Sequence, residues 1–83
     1  MKIKVKFFSI IKDYVGTDEV TFEFSNNIKL SELLEIIKSK WPSIRKLEDE
    51  VPIIALVNGS ICQEDLNLKD GDEVAIIPPV SGG

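Results

Sequence analysis

Histidine is absent from this chain of 83 residues, and cysteine occurs once, at Cys62. The chain therefore lacks the imidazole and thiolate ligands of a zinc site, and it can form neither a Ser-His-Asp triad nor a Cys-His pair. A single cysteine also excludes a disulfide within the chain and favours a reducing compartment. We expect no metal site and almost no catalysis by the chain's own side chains.

Long apolar runs and an excess of basic residues are also missing. No apolar run approaches the roughly 20 residues of a membrane-spanning helix, and the N-terminus alternates lysines with apolar residues instead of resembling a signal peptide. Fourteen acidic and ten basic residues give a net charge of −4, which disfavours binding to nucleic acid phosphates. We expect a cytoplasmic protein that binds neither membrane nor nucleic acid and whose partner is a basic protein.

Two segments near the N-terminus have the period-two pattern of strands with one buried face. Residues 2–7 place Ile3, Val5 and Phe7 on the inner side, and residues 20–24 alternate in the same way. The intervening residues 9–15 have near-helical apolar spacing and stop at Gly16, a plausible helix C-cap.

One long amphipathic helix is predicted over residues 30–41. Its apolar side chains recur at steps of three and four residues: Leu30, Leu33, Leu34, Ile37 and Trp41. Pro42 ends this helix because proline disfavours helical geometry in the residue before it. The charged residues 43–51 are read as a connecting loop.

The C-terminal part contains three further strand signals. Residues 53–57 are β-rich, and Asn58-Gly59 is a strong hairpin turn signal leading into residues 60–62. An Asp-Gly-Asp turn at 70–72 precedes the final strand, residues 73–77. The order predicts an α+β fold of the β-grasp, ubiquitin-like type, with a mixed sheet, one long helix across it, and the first and last strands adjacent at its centre.

The chain ends in a bare diglycine behind a double proline. The predicted domain covers residues 1–78, and residues 79–83 form a flexible tail, which follows Pro78 and contains Pro79, Val80, Ser81, Gly82 and Gly83. Glycine has no Cβ, so Gly82 can thread a channel too narrow for a side chain. We expect Gly83 to present its carboxylate as the reactive group in a partner's active site.

A docking patch is expected beside the tail, on the outer face of the sheet. Strand parity leaves Phe8, Leu56, Ile61 and Ile77 on that face. The alternative is that one or two of them complete the core or are ordinary exposed apolar residues. By the same parity Cys62 faces inward as a small hydrophobic residue and is not a sulfur relay.

Acidic residues near the end of the domain have two readings. They either steer a basic partner or form turns and a solvated edge, and the sequence leaves both open. These residues are Glu64, Asp65, Asp70, Asp72 and Glu73.

The whole chain resembles the small, sulfur-carrier subunits of molybdopterin synthase. The similarity lies in residues 4–9, 15–18, 57–58 and 68–83. Its most specific part is residues 70–83, where Asp-Gly-Asp-Glu-Val and Pro-Pro-Val-Ser-Gly-Gly occur together. Lys12 stands where the family often has arginine, and Ile77 where some members have an aromatic residue. These departures concern the partner interface and not the tail.

The resemblance implies that Gly83 is adenylated, converted to a thiocarboxylate and used to donate sulfur to the cyclic pyranopterin precursor of molybdopterin. It implies three partners: the large catalytic synthase subunit in a heterotetramer, an E1-like adenylating enzyme, and a sulfur donor such as a cysteine desulfurase or a rhodanese-like protein. ATP would be consumed by the activating enzyme, with no cofactor bound to this chain.

Three other functions remain open from the sequence. The chain could carry sulfur for another pathway, such as thiamin synthesis or tRNA thiolation. It could be a protein modifier that joins Gly83 to lysines of target proteins, because both uses begin with the same adenylated diglycine. It could also be a purely structural interaction domain, which leaves the terminal glycines unexplained.

Overall fold

Five strands and three helices are present in the computed structural model, which describes residues 1–62 and 64–78. In chain order they are β1 (Lys2–Phe7), α1 (Ile10–Val15), β2 (Glu19–Glu23), α2 (Leu30–Lys40), α3 (Pro42–Glu50), β3 (Ile54–Val57), β4 (Ser60–Ile61) and β5 (Glu73–Ile77). The predicted strands and the long helix are confirmed to within about one residue at each end. The predicted tail, residues 79–83, lies outside the described residues.

The strands form one mixed sheet in the order β2-β1-β5-β3-β4. The central pair, β1 and β5, is parallel, with Val5 opposite Val74 and Phe7 opposite Ile76. The other three pairings are antiparallel. The predicted central position of the first and last strands is therefore confirmed, as is the β-grasp layout.

The inner face of the sheet carries the core because alternate side chains of each strand point to the same side. Ile3, Val5 and Phe7 of β1 are buried, as are Val74 and Ile76 of β5. The helices cover this face with buried side chains of their own: Ile11, Leu30, Leu33, Ile37, Ile44 and Leu47. The apolar stripes of the sequence thus meet in one core.

Residues 42–50 are a helix, so the predicted loop over 43–51 is wrong. Pro42 does end α2 at Lys40, but it also begins α3, because a proline at the first helical position loses no hydrogen bond and has a suitable φ. Ile44 and Leu47 are buried, and Val51 packs against the core after the helix ends. Their spacing of three and four residues was the helical signal, which the surrounding charges obscured.

A residue of the segment after β4 caps the start of α2, although it lies 34 residues further along the chain. Asp65 accepts hydrogen bonds from the Ser31 backbone N–H at 3.0 Å and from the Ser31 hydroxyl at 2.6 Å. These bonds favour the ionised carboxylate and hold the pKa of Asp65 below its ordinary value, the hydroxyl contributing most. A group with a lowered folded-state pKa stabilises the fold above its unfolded pKa and stops doing so as the pH falls through the folded value.

The substitution Ser31→Ala is expected to lower the melting temperature at neutral pH. The decrease in melting temperature should be smaller in acid. The reason is that the lost bond is strongest with ionised Asp65, so the difference from wild type should be full above about pH 4 and shrink below it. Thermal unfolding of both proteins from pH 7 to pH 2.5 measures this. A difference that does not vary with pH would contradict it.

Candidate functional site

The outer face of the sheet is divided into an apolar half and a charged half. The register places Leu56 beside both Ile61 and Ala75, and Ile54 beside Ile77. Phe8 follows β1, and its backbone N–H donates to the Ile76 carbonyl at 3.2 Å, which places Phe8 beside the end of β5. We call this set the outer apolar patch: Phe8, Ile54, Leu56, Ile61, Ala75 and Ile77.

Of the four patch residues that the sequence predicted, Leu56 and Ile61 are paired directly, and Phe8 lies at the end of the sheet near Ile77; the register adds Ile54 and Ala75 between them. Ile61 is 68% exposed and Phe8 45% exposed, whereas Leu56 and Ile77 are half-buried. Ile54 and Ala75 were missed because β3 reads as a continuous apolar run and alanine is a weak hydrophobic signal. Parity from Leu56 and from Ile77 would have found both.

The charged half borders the patch along β1 and β2. Lys2, Lys4 and Lys6 alternate with the buried residues of β1 and therefore point outward. The Lys6 ammonium lies 2.7 Å from the Glu73 carboxylate. That hydrogen bond raises the pKa of Lys6 and lowers the pKa of Glu73, so both groups are charged at neutral pH. The patch is thus an apolar surface with a charged rim.

The chain leaves the sheet at the Phe8 end of the patch. Because β5 runs parallel to β1, its last residue, Ile77, lies close to the end of β1. Pro78 follows and is half-buried. The remaining site residues predicted from the sequence lie outside the described residues: Pro79, Val80, Ser81, Gly82 and Gly83.

The acidic residues of the 70–72 turn serve the fold. Asp70 accepts a hydrogen bond from the Lys2 backbone N–H at 2.6 Å. Asp72 accepts one from the Lys69 N–H at 2.7 Å and another from the Asn58 side chain at 3.0 Å. The sequence left open whether these carboxylates steer a basic partner or form turns, and their hydrogen bonds are explained by turn formation.

The remaining chemistry of the described residues is sparse. Cys62 is half-buried and packs against the core, as its parity predicted. Within residues 1–62 and 64–78, no three His, Cys, Asp or Glu side chains are grouped so as to hold a metal ion. The helices of that part of the chain are too short or too polar to cross a membrane. The patch and the adjoining chain end therefore form the candidate site.

The family model named ThiS family matches residues 5–83. A molybdopterin synthase sulfur carrier subunit from Escherichia coli is 40% identical over 83 residues, covering 98% of this chain and 99% of the relative. A solved structure of a candidate molybdopterin converting factor subunit 1 from Pyrococcus furiosus is 30% identical with a TM-score of 0.84, covering 96% of this chain and 99% of that one.

Two other solved structures are similar over the whole chain. A chain in the complex of subunits 1 and 2 of molybdopterin-converting factor from Helicobacter pylori is 28% identical, with full coverage of both chains and a TM-score of 0.71. A small archaeal modifier protein 1 from Methanosarcina acetivorans is also 28% identical, with a TM-score of 0.78 and coverage of 99% and 96%. The resemblance seen in the sequence is confirmed: this chain belongs to the ThiS family, and its full-length relatives include the molybdopterin synthase sulfur carrier subunits.

Proposed function

We propose that this protein is the sulfur carrier of molybdopterin synthesis and that it carries sulfur as a thiocarboxylate on Gly83. The observation that carries the proposal is the position of the outer apolar patch at the end of the sheet where the chain leaves β5. A partner that covers the patch would have the C-terminal residues within reach of its own active site. The match of the family model through residue 83 supports the same assignment for the diglycine.

The chemistry follows from the weakness of a carboxylate as an electrophile. ATP converts the Gly83 carboxylate to an acyl-adenylate with release of pyrophosphate, and the persulfide sulfur of a donor protein displaces AMP to form an acyl disulfide. A thiol reductant then cleaves the S–S bond and leaves the terminal thiocarboxylate. The thiocarboxylate sulfur attacks the cyclic pyranopterin precursor, and hydrolysis of the acyl–sulfur bond leaves the sulfur on the precursor and returns the Gly83 carboxylate. In this proposal the chain supplies the docking surface and the reacting terminus, and the catalytic side chains belong to the partner.

The length of the C-terminal segment suits this task. Five residues follow Pro78, and at about 3.1 Å per residue in polyproline geometry they can extend roughly 15 Å. That distance is enough to enter a cleft while the folded domain remains outside. Gly82 and Gly83 would occupy the narrowest part, where a Cβ has no room.

The large catalytic subunit of molybdopterin synthase is the principal partner in this proposal, in a heterotetramer. The solved complex of subunits 1 and 2 from Helicobacter pylori supports such a pairing. An E1-like adenylating enzyme and a sulfur donor, either a cysteine desulfurase or a rhodanese-like protein, complete the set. The activating enzyme consumes ATP, and this chain binds no cofactor. A cytoplasmic location belongs to the same proposal and is supported by the single free cysteine.

Reconstitution of the synthase tests the proposal. The protein carrying a terminal thiocarboxylate is mixed with the purified large subunit and the cyclic pyranopterin precursor, and dithiolene formation is measured. Product should appear with the thiocarboxylate form and not with the carboxylate form. Equal yields from the two forms, or none from either with an active large subunit, would refute the assignment.

A further inference from the structure

Ile61 is the most exposed large apolar side chain of the outer apolar patch, at 68%. It lies on β4, which has only two residues and pairs with β3 alone, at the edge of the sheet. Burial therefore does little to fix its position. The short β3–β4 ladder and the turn that precedes β4 must therefore hold Ile61 opposite Leu56 for docking.

Asn58 ties the turn before β4 to the start of β5. It adopts a φ of 51° and Gly59 a φ of 84°, which matches the type I′ hairpin turn that needs positive φ at both positions. The Asn58 side chain accepts a hydrogen bond from the Glu73 N–H at 3.0 Å and donates one to the Asp72 carboxylate at 3.0 Å. The Asn58 backbone N–H donates to the Glu73 carbonyl at 2.8 Å.

We propose that Asn58 is a positioning residue for docking, which holds Ile61 at the edge of the outer apolar patch through this connection to β5. This inference rests on the proposed function, since docking to the large synthase subunit is the process that it serves. Asn58 itself need not touch the partner. Its two side-chain bonds orient the hairpin relative to Ala75 and Ile77, so that the two parts of the patch form one surface.

The variant Asn58→Gly separates the side-chain connection from the turn itself. Glycine tolerates positive φ, and Gly-Gly is an acceptable type I′ turn, so the hairpin should still form. The two lost hydrogen bonds should affect docking only in part, so the Kd for the purified large subunit should rise roughly three- to tenfold. Isothermal titration calorimetry measures this, and circular dichroism verifies the fold.

A double-mutant cycle distinguishes positioning from general destabilisation. Ile61→Ala weakens docking directly, and if Asn58 acts through Ile61, then Asn58→Gly should add almost nothing in the Ile61→Ala background. Arg45→Ala provides a control, because it removes a hydrogen bond to Glu35 of α2, in the helix layer on the inner face of the sheet, and should leave the Kd unchanged.

Three results would overturn the inference. They are an unchanged Kd for Asn58→Gly, an equal effect of Asn58→Gly in the wild-type and the Ile61→Ala backgrounds, or a Kd raised to the same extent by Arg45→Ala. Failure of the wild-type protein to bind the large subunit is a different result. It would refute the proposed function and this inference with it.

Discussion

Deletion of Gly82 and Gly83 is expected to abolish sulfur donation and leave the folded domain intact. The proposed reaction takes place on the Gly83 carboxylate, so the shortened chain would end in Ser81, whose side chain does not fit a channel sized for glycine and whose carboxylate ends two residues short. Dithiolene formation by the reconstituted synthase should fall to background. This is the largest effect that we expect from any change to the chain.

The controls for this deletion address folding and docking separately. Trp41 packs against Phe7 with ring centroids 5.2 Å apart, so its fluorescence reports whether the core is formed. The Kd for the large subunit should rise far less than activity falls, because the outer apolar patch remains. Dithiolene formation by the shortened chain at a rate close to wild type would contradict the assignment of Gly83.

The second large effect is expected from a charge in the outer apolar patch. The substitution Ile61→Glu should raise the Kd for the large subunit by roughly 30- to 700-fold. This range corresponds to a loss of about 2–4 kcal/mol of binding free energy, which is typical of a buried interface contact. The reason is that docking would bury a carboxylate without a partner. Ile61 is 68% exposed in the isolated domain, so the melting temperature should change by only a few degrees.

Ile36→Glu is the matched control for this substitution. Ile36 is 38% exposed and lies on α2, in the layer that covers the inner face of the sheet. The same chemical change there should leave the Kd unaltered. If both variants bind as wild type does, the outer apolar patch is not the docking surface; if Ile61→Glu unfolds the domain, Ile61 is part of the core.

Local sequence patterns were sufficient to predict the individual strands. The alternation of β1 and β5 fixed their buried faces, and the Asn58-Gly59 signal located the β3–β4 hairpin, because these patterns depend on local geometry alone. The helix over Pro42–Glu50 was missed because a proline can either end one helix or begin the next. The burial of Ile44 and Leu47 in the folded core shows that Pro42 also begins a helix.

The candidate site was predicted less completely than the sheet. Phe8 and Ile77 could be assigned to the outer face from parity within their own segments. Their proximity depends on the parallel pairing of β1 with β5, which joins residues almost seventy positions apart. The connection made by Asn58 to Asp72 is a contact between two turns, and no periodic pattern reports such a contact.

The intact mass of the protein recovered from its native cells, with whatever is bound to it, shows directly whether Gly83 carries sulfur. We expect a free chain in which one terminal oxygen is replaced by sulfur, recovered together with a larger subunit. A series of heavier species, in each of which Gly83 is joined to a lysine of another protein, would contradict this expectation and identify the chain as a protein modifier.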